Sequence, residues 1–175
     1  MFKKFFQISE KKVYWLVLLA LGVSFETIAL FYQYSLHYPP CVLCIHARIW
    51  VLGIIIVSVL ALFIYKSWFG RFSMQMLLTL LFAGLFERSY QLLGIERGFI
   101  SGNCSMESGL PAWFALDDWL PEVFMVWEPC GYTPELLFGV TMAEALLVLS
   151  AILLLLNGIL TLSLIVSRFA KNKSL

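Results

Sequence analysis

The sequence predicts an all-α membrane protein, a four-transmembrane-helix bundle with a long outer loop that carries a short interfacial helix. Two observations predict it. Of 175 residues, 61% are hydrophobic and only 13% charged, with a mean hydropathy of +0.89, whereas soluble domains are nearer half apolar and a quarter charged. The apolar residues also fall into four stretches long enough to cross a ~30 Å hydrocarbon core as helices, which takes about 20 residues. An excess of this size points to lipid as the solvent. The aromatic share of 16%, with six Trp, suits interfacial belts.

The spans are expected at about 13–34, 42–65, 73–95 and 141–166, in a single membrane domain covering 1–175. The N-terminus is basic, but its apolar run is too long for a cleaved signal and lacks a small-residue cleavage site, so it reads as a retained first span. Lysine and arginine set the orientation. Lys3, Lys4, Lys11 and Lys12 precede the first span, Lys66 and Arg71 lie between the second and third, and Arg168, Lys171 and Lys173 follow the fourth. The opposite side has only Arg97. The positive-inside rule puts both termini in the cytoplasm. Loops 33–40 and 96–139 then face outward, into the periplasm if the membrane is a bacterial inner membrane.

All four cysteines fall on that outer side. Cys41 and Cys44 stand at the head of the second span, and Cys104 and Cys130 lie in the long loop. An even, outward-facing set is the pattern of disulfide chemistry in an oxidising compartment. The loop is too aromatic for simple disorder, with Trp113, Leu116, Leu120, Phe124 and Trp127 at roughly helical spacing. Pro111 is expected to open a short helix and Pro121 to break it, the helix lying on the membrane surface with its Trp side down. The loop's seven acidic residues read more simply as a solvated face than as a recognition patch. Gly-Phe-Ile-Ser-Gly-Asn before Cys104 and the Glu-Pro-Cys-Gly turn at Cys130 suggest that both loop cysteines are mobile and accessible.

The decisive segment is Pro-Pro-Cys-Val-Leu-Cys-Ile-His-Ala-Arg, residues 39–48. Prolines suit a helix start, where a missing N–H costs nothing. Cys41 and Cys44, three apart, share a face there and can close a disulfide. The positive end of the helix dipole lowers a thiol pKa, and Arg48, one turn below Cys44, is expected to favour a Cys44 thiolate. A buried arginine costs at least about 2.5 kcal/mol at mid-membrane, so it needs a partner or a purpose. Glu26, Glu87 and Arg88 fall at a similar depth, on the order of 10 Å inside the outer surface. Together they suggest a polar layer beneath the dithiol, either a cofactor site or a set of neutralising pairs. His46 points to another face and reads as an interfacial histidine; His37 reads as incidental.

Electrons reaching Cys41–Cys44 need a two-electron acceptor. The chain has no haem, flavin or iron–sulfur motif, and a lipid-soluble quinone, ubiquinone or menaquinone, can reach this depth from the bilayer. Cys44, Arg48, Glu87 and Arg88 are the expected cofactor-binding residues, and no metal is expected.

Cys-Val-Leu-Cys-Ile followed by Arg48, and Leu-Pro-Ala-Trp-Phe-Ala-Leu-Asp-Asp-Trp-Leu-Pro-Glu-Val-Phe at 110–124, resemble the DsbB family of quinone-linked membrane thiol oxidases. The resemblance covers nearly the whole chain: four spans and two cysteine pairs. Quinone-linked reoxidation of a soluble DsbA is the known device that keeps a bacterial periplasm oxidising. The resemblance therefore implies a DsbA-like periplasmic thioredoxin-fold partner, with no nucleic acid involved. It implies that Cys104 exchanges with that partner, that Cys130 resolves with Cys41, and that Cys44 faces the quinone. His46 and Ala47 stand where other members can have Tyr and Glu, and Ser89 follows Arg88 where some members have a nearby histidine. The alternatives are a dedicated paralogue of the DsbI kind serving one special substrate, or an enzyme similar to vitamin K epoxide reductase. A four-thiolate metal site fits poorly because 25 residues separate the two cysteines of the second pair. Two passive disulfides would need neither Arg48 nor a Cys-x-x-Cys at a helix start.

Overall fold

The computed structural model of this chain describes residues 9–101, 107–137 and 139–172. Four long helices dominate: α1 (Lys12–Ser35), α2 (Val42–Ile64), α3 (Trp68–Glu96) and, last in the chain, α6 (Met142–Asn172). Each is long and apolar enough to cross a membrane. Three of the expected spans begin within a residue of these helices, but α3 starts five residues earlier than expected. Arg71 suggested a polar connection, yet its guanidinium pairs with Glu10 at 2.9 Å. Ser67 caps the helix instead, its Oγ accepting the Gly70 N–H at 3.4 Å, which satisfies one orphan donor of the first turn.

Helix α1 packs on α2, α2 on α3, and α3 on α6. The core at their centre includes Trp15, Val51, Ile54, Leu78, Phe82 and Leu85. Close approach of α2 and α3 needs a glycine: a Cβ on Gly84 would lie 2.7 Å from the Trp50 indole. Small residues at such contacts let helices pack where lipid offers no hydrophobic drive.

Polar bonds close the bundle at the end where α1 begins. Asn157 Oδ1 accepts from Tyr14 Oη at 2.8 Å and from Gln75 Nε2 at 2.6 Å. Its Nδ2 donates to Thr79 Oγ1 at 2.8 Å. Basic side chains gather at this end, with Arg71 on Glu10 and Arg168 stacked 4.9 Å over Trp68. Cys41 and Cys44 sit at the other end, where α2 begins.

The long loop covers that cysteine end. Its expected helix is three single turns: a 3-10 turn at Ala112–Phe114, α4 (Leu116–Trp119) and α5 (Pro121–Phe124). Pro121 opens α5 rather than breaking a helix, because the first helical position needs no N–H. Trp113, Trp119 and Trp127 are exposed, while Phe124 and Val126 are buried. A small antiparallel pair that was not expected follows, β1 (Glu135–Leu137) and β2 (Val140–Thr141). Gly139, at φ +76°, lies between these strands, in a region open to glycine.

Candidate functional site: a dithiol at the mouth of a cavity

Pro39 and Pro40 deliver an extended backbone to Cys41, which takes the N-cap of α2 at φ −84°, ψ 169°. Its Sγ accepts the Cys44 N–H at 3.4 Å and lies 2.7 Å from Cys44 Sγ. The two cysteines are free and need no backbone movement to close a disulfide. Cys41 is buried and Cys44 half-buried. The hydrogen bond with the Cys44 thiol, helped by N–H groups of the first turn, holds the Cys41 thiol below its ordinary pKa against the opposing effect of burial. The expectation gave the helix start and Arg48 to Cys44. The geometry hands the N–H of the first turn to Cys41, because an N-cap side chain faces those donors.

The long loop docks on the same spot. Trp127 donates its N–H to the Pro40 carbonyl at 3.1 Å, and Glu128 forms a parallel bridge with Cys41. Two residues on, Cys130 packs on the cluster of Cys41, Val42, Phe124 and Val126. It is disulfide-bonded and half-buried. Cys104 lies outside the described residues.

Arg48 is 6% exposed. Its Nη1 donates to Gln33 Oε1 at 2.6 Å and to the Val123 carbonyl at 2.9 Å. One side chain thus ties α1, α2 and α5 together. It takes no part in the ion pairs found among the described residues, which are Arg71–Glu10, Arg88–Glu87 and Arg97–Glu144. The sequence reading missed Gln33. The available signal was its position seven residues after Glu26, two turns along the same face of an apolar helix.

Beneath the dithiol, between α1 and α6, lies a cavity of about 210 Å³. Cys44, Ala47, Arg48 and Val51 form its floor on α2, Phe25, Glu26 and Ala29 one wall, and Met142, Ala145 and Leu146 the other. Pro39, Pro40 and Thr133 to Pro134 roof it. Ile28 and Leu149, at its rim, are exposed on the side of the bundle. The Glu26 carboxyl oxygen Oε1 is buried and has no hydrogen-bond partner.

Of the expected cofactor-binding residues, Cys44 and Arg48 line this cavity, and Glu87 and Arg88 do not. Glu87 and Arg88 pair with each other at 3.1 Å, and both bond Gln91 one turn on. Adjacent residues of opposite charge satisfy one another locally, so equal depth did not bring them to the dithiol. His46, read as an interfacial histidine, bonds the Ser108 carbonyl through Nε2 at 2.8 Å, and Ser108 Oγ donates to Asp117 Oδ2 at 2.5 Å. It anchors the long loop to α2.

Comparison with known proteins identifies the family. The family model for disulfide bond formation protein DsbB matches residues 11–160. Disulfide bond formation protein B of Shewanella frigidimarina is 30% identical over 139 residues, 79% of this chain and 82% of that protein. The proteins of the same name from Shewanella denitrificans and Aeromonas salmonicida are each 28% identical, the former over 78% of both chains, the latter over 89% of this chain and 90% of its own. The chain belongs to the DsbB family, and with its four apolar helices it is a multi-pass membrane thiol oxidase of disulfide bond formation.

Proposed function

We propose that this chain reoxidises a soluble, periplasmic, DsbA-like thioredoxin-fold oxidase and passes the electrons through its two cysteine pairs to a membrane quinone. The observation that carries this reading is the Cys41–Cys44 pair, 2.7 Å apart, with Cys44 and Arg48 on the wall of one largely apolar cavity.

The partner's dithiol attacks the Cys104–Cys130 disulfide at Cys104. The partner leaves oxidised, and Cys104 and Cys130 keep two electrons and two protons. The Cys130 thiolate then attacks Cys41 of the Cys41–Cys44 disulfide, and Cys44 leaves as a thiolate. Cys104 displaces Cys41 from Cys130, which restores the loop disulfide and leaves Cys41 and Cys44 reduced. The docking of Glu128 on Cys41 supports this transfer by keeping Cys130 beside its target. The N–H donors at Cys41 stabilise it as a leaving group.

The residues present fit a quinone. The cavity is apolar apart from a few polar groups, it opens on the side of the bundle, and it contains the orphaned Glu26 Oε1. Cys44, Arg48 and the α1 and α6 walls would hold the ring, which when bound supplies a sink for two electrons and two protons. Arg48 presents a charged donor to a ring oxygen. Glu87 and Arg88 are given no part in it. We place the protein in a bacterial inner membrane with both termini in the cytoplasm and the cysteines in the periplasm. The gathering of basic side chains at the end opposite the dithiol supports that orientation.

The test follows oxidation of a reduced DsbA-like protein by the purified chain, with and without added ubiquinone or menaquinone. Turnover should require quinone and each of the four cysteines. Multiple turnovers in quinone-free protein would overturn the reading.

A further inference from the structure

We propose that Glu26 is the proton-exchanging residue of the cavity, serving the ring oxygen of the quinone that Arg48 does not bind. This rests on the quinone reading above and deepens it.

Glu26 stands in the middle of an apolar helix. Ionisable residues inside membrane spans are rare and mark pathways or sites. Glu26 and Arg48 attract one another as opposite charges, but they are not in contact: Arg48 directs its Nη1 to Gln33 and Val123, and the ion pairs among the described residues do not include Glu26. Glu26 Oε1 is nevertheless buried, without a hydrogen-bond partner, on the cavity wall. A buried polar atom left unpaired is destabilising, and such atoms in native structures call for an explanation. The remaining ionisable groups on the lining are Tyr32, Tyr38, Cys44, Arg48 and Tyr132. The cavity therefore has a carboxyl on α1, a guanidinium on α2, and space that neither fills. A ring with oxygens on opposite edges offers one to each.

The proton count is closed. Disulfide formation between Cys41 and Cys44 releases two electrons and two protons, and reduction of a quinone to a quinol takes up both. Glu26, as the acid, donates a hydrogen bond and then the proton to the ring oxygen on its side. A proton released by the dithiol restores it, so the carboxyl is unchanged over a cycle. As the carboxylate it accepts a hydrogen bond from the quinol hydroxyl. Arg48, always charged, holds the other oxygen without transferring a proton, and that oxygen takes the second proton released by the dithiol.

The test uses the full-length protein in detergent with a short-chain ubiquinone analogue. Four readouts are taken: analogue affinity, exchange of the cysteines with a reduced thioredoxin-fold protein, the rate of quinol formation, and the infrared difference spectrum on quinone reduction. Wild type should bind the analogue and show a carboxyl C=O difference band. Glu26→Gln keeps the shape and a hydrogen-bond donor but carries no exchangeable acid. It should bind within about threefold of wild type and exchange thiols normally, lose the band, and make quinol about 100-fold more slowly, the range of general acid–base catalysis. Glu26→Asp should shift the band, so a poorly folding Gln variant leaves the test intact. Unchanged quinol formation in Glu26→Gln, or a band indifferent to both substitutions, overturns the role of Glu26 alone. A wild-type protein that binds no analogue overturns the quinone reading as well.

Discussion

Cys41 and Glu128 face one another in a parallel bridge, and the carbonyl of Pro40, one residue earlier, takes the Trp127 N–H at 3.1 Å. This short backbone contact joins the loop to the mouth of α2 and sets Cys130 against the cluster around Cys41. Its integrity should govern transfer between the two cysteine pairs. In a background with Cys44→Ala and Cys104→Ala, Cys41 and Cys130 are the only thiols left and should pair on oxidation. Adding Trp127→Pro removes the donor and should lower the yield or rate of that disulfide about tenfold, read by gel mobility. A hydrogen bond of this kind contributes about 0.5–1.5 kcal/mol, a factor of roughly 2–13, and the lost register adds to it. An equal yield with and without proline would show that the contact is not what presents Cys130.

The Cys41 thiol should ionise before an ordinary cysteine, because the Cys44 thiol and the N–H groups of the first turn stabilise its thiolate. The sign is plain: stabilising the charged form lowers the pKa, so thiolate is present at a lower pH and is lost only as pH falls below the depressed value. In Cys104→Ala/Cys130→Ala protein, thiolate absorbance should rise in a first step below the usual thiol range. Cys44→Ala removes the largest contribution and should move that step upward. A first step that stays put in Cys44→Ala would assign the effect to the helix start alone.

All reactive thiols should be reachable from one face of the membrane. After reduction, a membrane-impermeant thiol reagent should label intact spheroplasts, with no further labelling on lysis. Labelling that appears only on lysis reverses the orientation.

Asn157 joins Tyr14, Gln75 and Thr79 at the far end of the bundle from the dithiol. Interhelical polar bonds in membranes contribute about 0.6 kcal/mol each on average, and Asn157→Leu leaves several partners unpaired at roughly 1–3 kcal/mol for a buried group. The variant should unfold in denaturing detergent with about 1–3 kcal/mol less stability while its cysteines exchange at the normal rate. A loss of exchange without a loss of stability would contradict this division of labour.

The four spans were legible because lipid demands long apolar runs, and that demand is written in composition. The dithiol was legible too: Cys-x-x-Cys after paired prolines places both sulfurs at a helix start whatever the rest of the chain does. The partners of the buried charges were not. Depth along a helix can be counted from sequence, but azimuth relative to neighbouring helices depends on packing. Glu87 and Arg88 share the depth of Arg48 and still pair on their own helix, whereas Glu26 faces the cavity. The β1–β2 pair and the three single turns of the loop were beyond reach for another reason. Segments of two to four residues carry no periodicity, and their shape is set by what they cover.

Arg48 should affect both assembly and quinone use, and the two effects can be separated. Its Nη1 holds Gln33 and the Val123 carbonyl, so Arg48→Ala leaves two half-buried acceptors unpaired, at up to roughly 1–3 kcal/mol each. The same truncation removes the charged donor from the cavity wall. The apparent quinone KM should rise and turnover should fall, while the cysteines still exchange with the reduced partner. Arg48→Lys keeps the charge but loses the fork that reaches two acceptors at once, so it should be milder in KM and still measurably less stable. Gln33→Leu supplies the control, because it breaks two structural bonds, to Arg48 and to the Glu122 carbonyl, and leaves the guanidinium in place. It should reduce stability with at most a small change in KM. The measurement is partner oxidation across a range of quinone concentrations, alongside unfolding in denaturing detergent. If Arg48→Ala and Gln33→Leu shift KM equally, or neither shifts it, Arg48 is a tie between helices and the quinone is held by other groups.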